Sequence, residues 1–343
     1  MPLTRPVIAI TAGDPCGIGP EVILKALLSR RIPARVYLVV IGDHRVFERT
    51  AKKFGRRLPA WRRVSVGQSW SALRDPLTFI DCAHSRAFVS GHASCEAGEA
   101  SRAYLDLAVE LWRAKRIHAL VTAPVTKWTI AQVHPGFIGQ TEYLARALGV
   151  REVAMMFVSD SLRVVLLTRH LPLRDVPHAV DRRVVQRTIQ LTVDALKTHF
   201  HLRHPRLACC GLNPHAGEEG VLGREEQDLL LPVLRRLRRA GMACAGPFAA
   251  DGLFAQWSSA MRRGVEGPQP YDAVICWYHD QGLIPFKMAA LDRGCQMSIG
   301  LPIIRTSPDH GSALDIAGKG IANPGSMRYA IRLAATLLNT TRC

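Results

Sequence analysis

Val164-Val165-Leu166-Leu167-Thr168-Arg169-His170 is an apolar run that closes on a polar turn and a histidine. Four apolar residues without alternation fit a strand buried on both faces, as in a parallel sheet sandwiched by helices. The same pattern recurs downstream. Leu207–Cys210 runs through Gly211-Leu212-Asn213-Pro214 to His215, and Ala273–Tyr278 runs into His279. Working outward, further strand-like runs lie at Val7–Ile10, Val36–Ile41 and Ala119–Thr122. Helix-like stretches, Pro20–Ser29, Glu96–Arg116, Asp181–Phe200, Glu225–Ala240 and Met327–Leu338, alternate with them. Such alternation predicts an α/β protein. The tract Ser258–Pro270 is polar and broken by Gly and Pro, which predicts a loop or insertion.

The 343 residues suffice for about two domains. With 48% hydrophobic and 21% charged residues the balance is globular, neither disordered nor collagenous. No apolar run reaches the roughly 18 residues of a membrane span. Met1–Pro6 passes straight into Val7–Ile10 without a basic-then-apolar leader, so a cytoplasmic chain is expected. Lys and Arg outnumber Asp and Glu 45 to 28, giving a formal charge of +17, which favours anionic ligands. Arginines crowd at Arg56-Arg57 with Arg62-Arg63 and at Arg235-Arg236 with Arg238-Arg239. The second group continues the amphipathic pattern of Leu229, Leu230, Val233, Leu234 and Leu237, so it reads as a solvated helix face rather than a nucleic-acid patch. Nine cysteines, none in a Cys-x-x-Cys spacing, read as reduced, mostly buried thiols.

His170, His215 and His279 each follow a strand, and in an open α/β sheet such positions converge on the ligand crevice. Imidazoles delivered this way suit a divalent metal with positions left open for substrate. Asp280 beside His279 suits a histidine-orienting or general acid/base role, and equally a simple cap. Lys287, and Arg305 inside the apolar Leu301–Thr306, are candidates for anion binding, with an internal salt bridge as the alternative for Arg305. Gly139-Gln140-Thr141-Glu142 and the strand-end loop carrying Thr126 and Lys127 offer further polar groups. Gly13-Asp14-Pro15-Cys16-Gly17-Ile18-Gly19 opens a helix but is neither a Gly-x-Gly-x-x-Gly fingerprint nor a Walker loop.

Taken in order, ITAGDPCGIGPEV, VTAPVTK, GQTEYLA, GLNPHAGE, YHDQGLIPFK and GLPIIRTSPDHGSALDIAGKG resemble the 4-hydroxythreonine-4-phosphate dehydrogenase family of pyridoxal phosphate biosynthesis. The resemblance implies two α/β/α lobes around a cleft, as in isocitrate and isopropylmalate dehydrogenases, working as a homodimer with shared active sites. The lobes are expected at 1–130 plus 306–343 and at 131–305, the second carrying the metal-site histidines. The family pattern implies His170, His215 and His279 as ligands of one divalent metal (Zn, Co or Mg). It implies Gln140, Thr141, Lys287, Gln296 and Arg305 as substrate contacts, and Asp251, Asp280 and Lys287 as the groups that assist the chemistry. NAD is the implied hydride acceptor, with no assignable contacts. The reaction implied is oxidation and decarboxylation of 4-phosphohydroxy-L-threonine to 3-amino-2-oxopropyl phosphate, with neither nucleic acid nor membrane as partner.

Two positions depart from the family pattern. Gln140 stands where a substrate-contacting His is usual, and Gln296 where an Asn is usual. An amide keeps hydrogen bonding but cannot carry imidazole's positive charge. The same chemistry on D-threonate or D-erythronate 4-phosphate in sugar-acid catabolism is therefore an alternative. A non-catalytic anion-binding protein is the alternative from another class.

Overall fold

A computed structural model describes residues 5–29, 35–68, 75–84, 88–262 and 270–340. The opening Met1–Thr4 and positions 263–269 of the polar tract lie outside them. Among the described residues the strands are β1 (Val7–Thr11), β2 (Tyr37–Gly42), β3 (Arg62–Ser65), β4 (Leu77–Asp81), β5 (Ala119–Thr122) and β6 (Ala154–Ser159). They continue with β7 (Arg163–Leu166), β8 (Arg206–Cys210), β9 (Ala243–Phe248), β10 (Ala273–Cys276), β11 (Gly294–Ile299) and β12 (Ile304–Ser307). With helices between most of them, the class is α/β, as the alternation of runs predicts.

The chain forms two compact units, Met1–Glu152 with Cys295–Cys343, and Val153–Gly294. The first therefore takes in 131–152 and 295–305, which the sequence reading assigns to the second lobe. Pairing explains the difference. β12 runs parallel to β5, with Arg305 opposite Leu120, and β11 runs antiparallel to β12. Tyr143, on the helix Gln140–Ala147, donates its hydroxyl to Asp106 on the helix Cys95–Arg113.

In the first unit the strand order is β3-β4-β2-β1-β5-β12-β11. Residues of β1 and β5 are buried throughout, so both faces of the sheet are covered. The helix Cys95–Arg113 starts at Ser94, whose hydroxyl accepts the N–H of Ala97, as a serine N-cap does.

In the second unit the order is β6-β7-β10-β8-β9. β6 is antiparallel to β7, while β7, β10, β8 and β9 are mutually parallel. Because β10 lies between β7 and β8, the carboxyl ends of all three open on one edge of the sheet. The core beneath is Phe157, Val164, Leu166, Val274, Leu283 and Phe286. The helix His279–Ala290 sends Leu283, Phe286 and Ala290 into that core at helical spacing. Gly282 allows this, since a Cβ there would sit 2.5 Å from Val164 Cγ1.

Three sequence expectations change. Ser258–Arg262 belong to the helix Ala250–Arg262 rather than to a loop. The expected helix Glu225–Ala240 is a wide π-type turn, Glu226–Leu230, followed by a regular helix, Leu231–Arg239. Pro232, in the first turn of the latter, lacks the N–H that would carry one regular ladder through. The third concerns Leu167, which lies beyond β7 yet still donates its N–H to Cys276 O at 2.8 Å.

Candidate active site

The second unit gathers most of the residues expected to carry chemistry. Val274 pairs with Val164 and Cys276 with Leu166, so a straight continuation brings the segment after β10 beside the segment after β7. Thr168 fixes that continuation, donating both its backbone N–H (3.0 Å) and its hydroxyl (2.7 Å) to Trp277 O. The result is a pair of imidazoles: the rings of His170 and His279 lie 5.8 Å apart, centroid to centroid, tilted by 39°. His279 Nδ1 lies 2.6 Å from Asp280 Oδ1, an arrangement that orients the ring.

His215 is placed differently. Residues 215–219 all have left-handed backbone, with φ of 53°, 54°, 86°, 42° and 53°. Only Gly217 among them is a glycine, and left-handed conformation costs about 1–2 kcal/mol for each residue with a Cβ. The turn is braced on two sides. Glu226 Oε1 accepts the N–H groups of Leu212 (2.7 Å) and Asn213 (2.8 Å). Gln281 donates Nε2–H to Gly211 O (2.7 Å) and accepts the N–H of Trp277 (2.8 Å), tying the end of β8 to the end of β10.

His215 lines a cavity of about 500 Å³ together with Asp251, Tyr278, Asp280, Gln281 and Ile284. Burial, with the charge of Asp280 behind it, pushes the Tyr278 phenol above its ordinary pKa, so it faces the cavity as a neutral hydroxyl. Asp251, in the first turn of Ala250–Arg262, is exposed at the cavity wall. Lys287 is exposed, outside the cavity lining, seven residues from Asp280 and so on nearly the same helical stripe. Ile284, Met288 and Leu291 stand exposed on the same helix or just beyond it, at 57%, 84% and 69%.

Among the described residues no group of three His, Cys, Asp or Glu side chains comes close enough to hold a metal ion. One chain thus brings His170 and His279 together, while His215 lines the cavity with Asp251 and Asp280. The pair itself suits a cation. Two imidazoles whose nitrogens each sit about 2.1 Å from one ion have centroids roughly 5 Å apart, close to the spacing present here.

In the first unit, Arg305 on β12 is buried to 3% exposure. Its Nη1 donates to Gln296 Oε1 (2.6 Å), Ser298 Oγ (3.0 Å) and Thr141 Oγ1 (3.2 Å). Its Nη2 and Nε both donate to Thr122 Oγ1, at 2.5 and 3.1 Å. All these acceptors are neutral oxygens, so the salt bridge weighed for Arg305 is not among its hydrogen bonds. Burial lowers the guanidinium to about 10, with Glu142 opposing from a distance, and it stays charged at neutral pH. Register explains the grouping: Ser298 pairs with Arg305 and Gln296 with Ser307 across β11 and β12. Ser307 Oγ donates to Gln296 Oε1 at 2.6 Å, which fixes the amide. Gln140 donates Nε2–H to Ala123 O (3.1 Å), while its buried Oε1 has no hydrogen-bond partner among the described residues. A buried cation held only by neutral groups is suited to an incoming anion.

Sequence reasoning missed Thr122, Ser298, Tyr278, Gln281 and Glu226. Thr122 and Ser298 left one signal, a polar residue at the end of or within an otherwise buried strand.

Residues 34–334 match the family model described as pyridoxal phosphate biosynthetic protein PdxA. A 4-hydroxythreonine-4-phosphate dehydrogenase of Desulforapulum autotrophicum is 40% identical over 335 residues, 96% of this chain and 95% of that one. The crystal structure of a 4-hydroxythreonine-4-phosphate dehydrogenase from Burkholderia phymatum matches with a TM-score of 0.78 at 36% identity, covering 97% of this chain and 98% of the other. The corresponding Klebsiella pneumoniae structure matches with a TM-score of 0.82 at 29% identity, covering 98% and 99%. Matched by the family model over residues 34–334 and 40% identical to a relative along 96% of its length, the chain belongs to the PdxA family of pyridoxal phosphate biosynthetic proteins.

Proposed function

We propose that this chain is an NAD-dependent dehydrogenase that oxidises and decarboxylates 4-phosphohydroxy-L-threonine to 3-amino-2-oxopropyl phosphate, in the cytoplasm, for pyridoxal phosphate biosynthesis. The observation that carries the proposal is the His170–His279 pair, 5.8 Å apart with Asp280 on His279 Nδ1. His170 and His279 would hold a divalent cation (Zn, Co or Mg), with a His215 imidazole completing the set across a homodimer. A cation held there would supply Lewis-acid chemistry, polarising the substrate's secondary alcohol and easing charge on the carbonyl oxygen that follows. NAD, when bound, takes the hydride.

The remaining roles belong to the chain's own side chains. Asp251 and Asp280 face the cavity as carboxylates able to take the alcohol proton, Asp280 while also holding His279 in orientation. Tyr278 presents a neutral O–H to the same cavity and can return a proton to the carbon that loses CO₂. Arg305 supplies a buried positive charge, hydrogen-bonded only to neutral groups, for the substrate's anionic end, with Thr141 and Gln296 fixing its fork. Lys287 adds a second cation farther along the helix of His279. A dimer would cover the exposed Ile284 and Met288 at the cavity and Leu291 just beyond, and would supply the third ligand that no group of described residues in one chain completes.

The alternative, the same chemistry on D-threonate or D-erythronate 4-phosphate, is favoured by one observation. Gln140 offers an unpartnered amide oxygen where imidazole is usual, which suits a substrate hydroxyl. The test follows NADH absorbance with a panel of phosphorylated hydroxy acids, before and after chelation and with Co²⁺ added back. The proposal expects fastest turnover of 4-phosphohydroxy-L-threonine, loss on chelation and recovery with Co²⁺. Turnover of a sugar-acid phosphate alone would install the alternative, and chelation without effect would remove the metal.

A further inference from the structure

Glu226 is 1% exposed, and its hydrogen-bond partners are concentrated on one loop. Oε1 accepts from the backbone N–H groups of Leu212 and Asn213, and Oε2 from Asn213 Nδ2 at 3.0 Å. A Cβ on Gly217, inside the left-handed turn, would sit 2.7 Å from Oε2, so the turn is wound tightly around the carboxylate. Asn213 Nδ2 is shared with Glu225 Oε2 at 2.7 Å, which adds a second brace. Among the described residues no cation hydrogen-bonds Glu226. If this residue served only to fill the core, an apolar side chain of similar volume would do so without the cost of burying an acid. Its partners immediately precede His215, and the π-type turn it starts, Glu226–Leu230, aims it at them.

We infer that Glu226 is a positioning residue for His215: it holds the left-handed turn 215–219 at the end of β8 and thereby presents the imidazole at the cavity. The inference deepens the proposed function and rests on His215 being a metal ligand. Outer partners of metal-ligating groups typically alter metal affinity by about 10- to 100-fold when removed.

The test measures Co²⁺ affinity by titrating the visible absorption of the full-length protein. It compares wild type, Glu226→Gln, His215→Ala and the double variant, each checked for its Tm without metal. Gln keeps the shape and one acceptor oxygen but sets an N–H₂ against Asn213 Nδ2. The inference expects about a tenfold loss for Glu226→Gln and a larger loss for His215→Ala. The double variant should bind no more weakly than His215→Ala alone, since a residue acting only through His215 adds nothing once it is gone. Hydrogen exchange should rise at the amides of residues 212–220 in Glu226→Gln and stay unchanged in β7 and β10. Wild-type affinity in Glu226→Gln, or losses that multiply in the double variant, would overturn the positioning role. Wild-type affinity in His215→Ala would overturn the metal-ligand reading beneath it instead. If Glu226→Gln fails to fold, Glu226→Asp, which keeps the carboxylate one methylene short, should show the same direction of loss, and full affinity there with undisturbed exchange would count against the inference.

Discussion

The cage around Arg305 and the histidine shelf after β7, β8 and β10 are built on opposite principles. Arg305 lies inside a sheet, its fork held by side chains of the neighbouring strands β5 and β11 and the nearby helix residue Thr141. Ser298 and Gln296 are themselves tied to one another, at 3.1 Å, so little can move. The histidines stand outside their sheet, His170 and His215 exposed on turns and His279 half-buried at the start of its helix. One region keeps its charge in place by burial and register; the other is open, braced from behind by Gln281, Thr168 and Glu226, and among the described residues gathers no group of three metal-ligating side chains. The arginine's cage is complete within one chain, whereas the proposed metal set would draw its third imidazole from a second copy.

That contrast can be broken most forcefully at the shelf. His279→Ala should lower turnover by about 10⁴-fold or more, the equivalent of several kcal/mol of lost charge stabilisation, with circular dichroism and Tm preserved because the side chain is only half-buried, at 42% exposure, outside the apolar core. Full activity in that variant would take His279 out of the mechanism.

The cage should respond in another way. Arg305→Met removes a desolvated cation without leaving an anion behind, so Tm should move by only a few degrees while kcat/KM falls about 10³-fold, as two charge-assisted hydrogen bonds to substrate are lost. A collapse of Tm with kcat/KM of the remaining folded protein intact would make Arg305 structural. Gln140→His, at the edge of the same unit, should shift the ranking of kcat/KM among phosphorylated hydroxy acids by about tenfold. An unchanged ranking would remove Gln140 from specificity.

The smallest effect concerns stability alone. His84 has its pKa raised, first by its hydrogen bond to Asp43. Its contribution to stability is therefore fully present below the unfolded value of about 6.5 and disappears as pH rises through the higher folded value. Thermal unfolding of wild type and His84→Leu should differ by a few degrees near pH 5.5 and converge by about pH 8.5. A gap that widens with pH would reverse the sign assigned to the Asp43 contact.

Much of this was legible in the chain. The runs Val164–Leu167, Leu207–Cys210 and Ala273–Cys276 named the strands that deliver the histidines, because an unbroken apolar run has few other uses. Arg305 stood out as a charge in an apolar stretch. What stayed hidden depends on partners distant in sequence or on backbone that side-chain pattern does not encode. Thr122 meets Arg305 across 183 positions, and an ordinary threonine in a strand carries no sign of it. Nothing in Pro214-His215-Ala216-Gly217-Glu218-Glu219 except its glycine hints at consecutive left-handed residues, and Glu226 looked like the start of a solvated helix. The edge strands β3 and β9 escaped notice because Arg62-Arg63 and the Gly-Pro pair in Ala243–Phe248 dilute their apolar pattern.

The central claim, that these imidazoles grip one cation jointly, is tested most directly by a crystal structure of the Co²⁺-loaded protein with anomalous scattering. The account predicts one cobalt per chain, ligated by imidazoles of His170, His279 and His215 drawn from two copies. Cobalt bound through other side chains, or a fully loaded crystal in which these rings make no contact with it, would contradict the account.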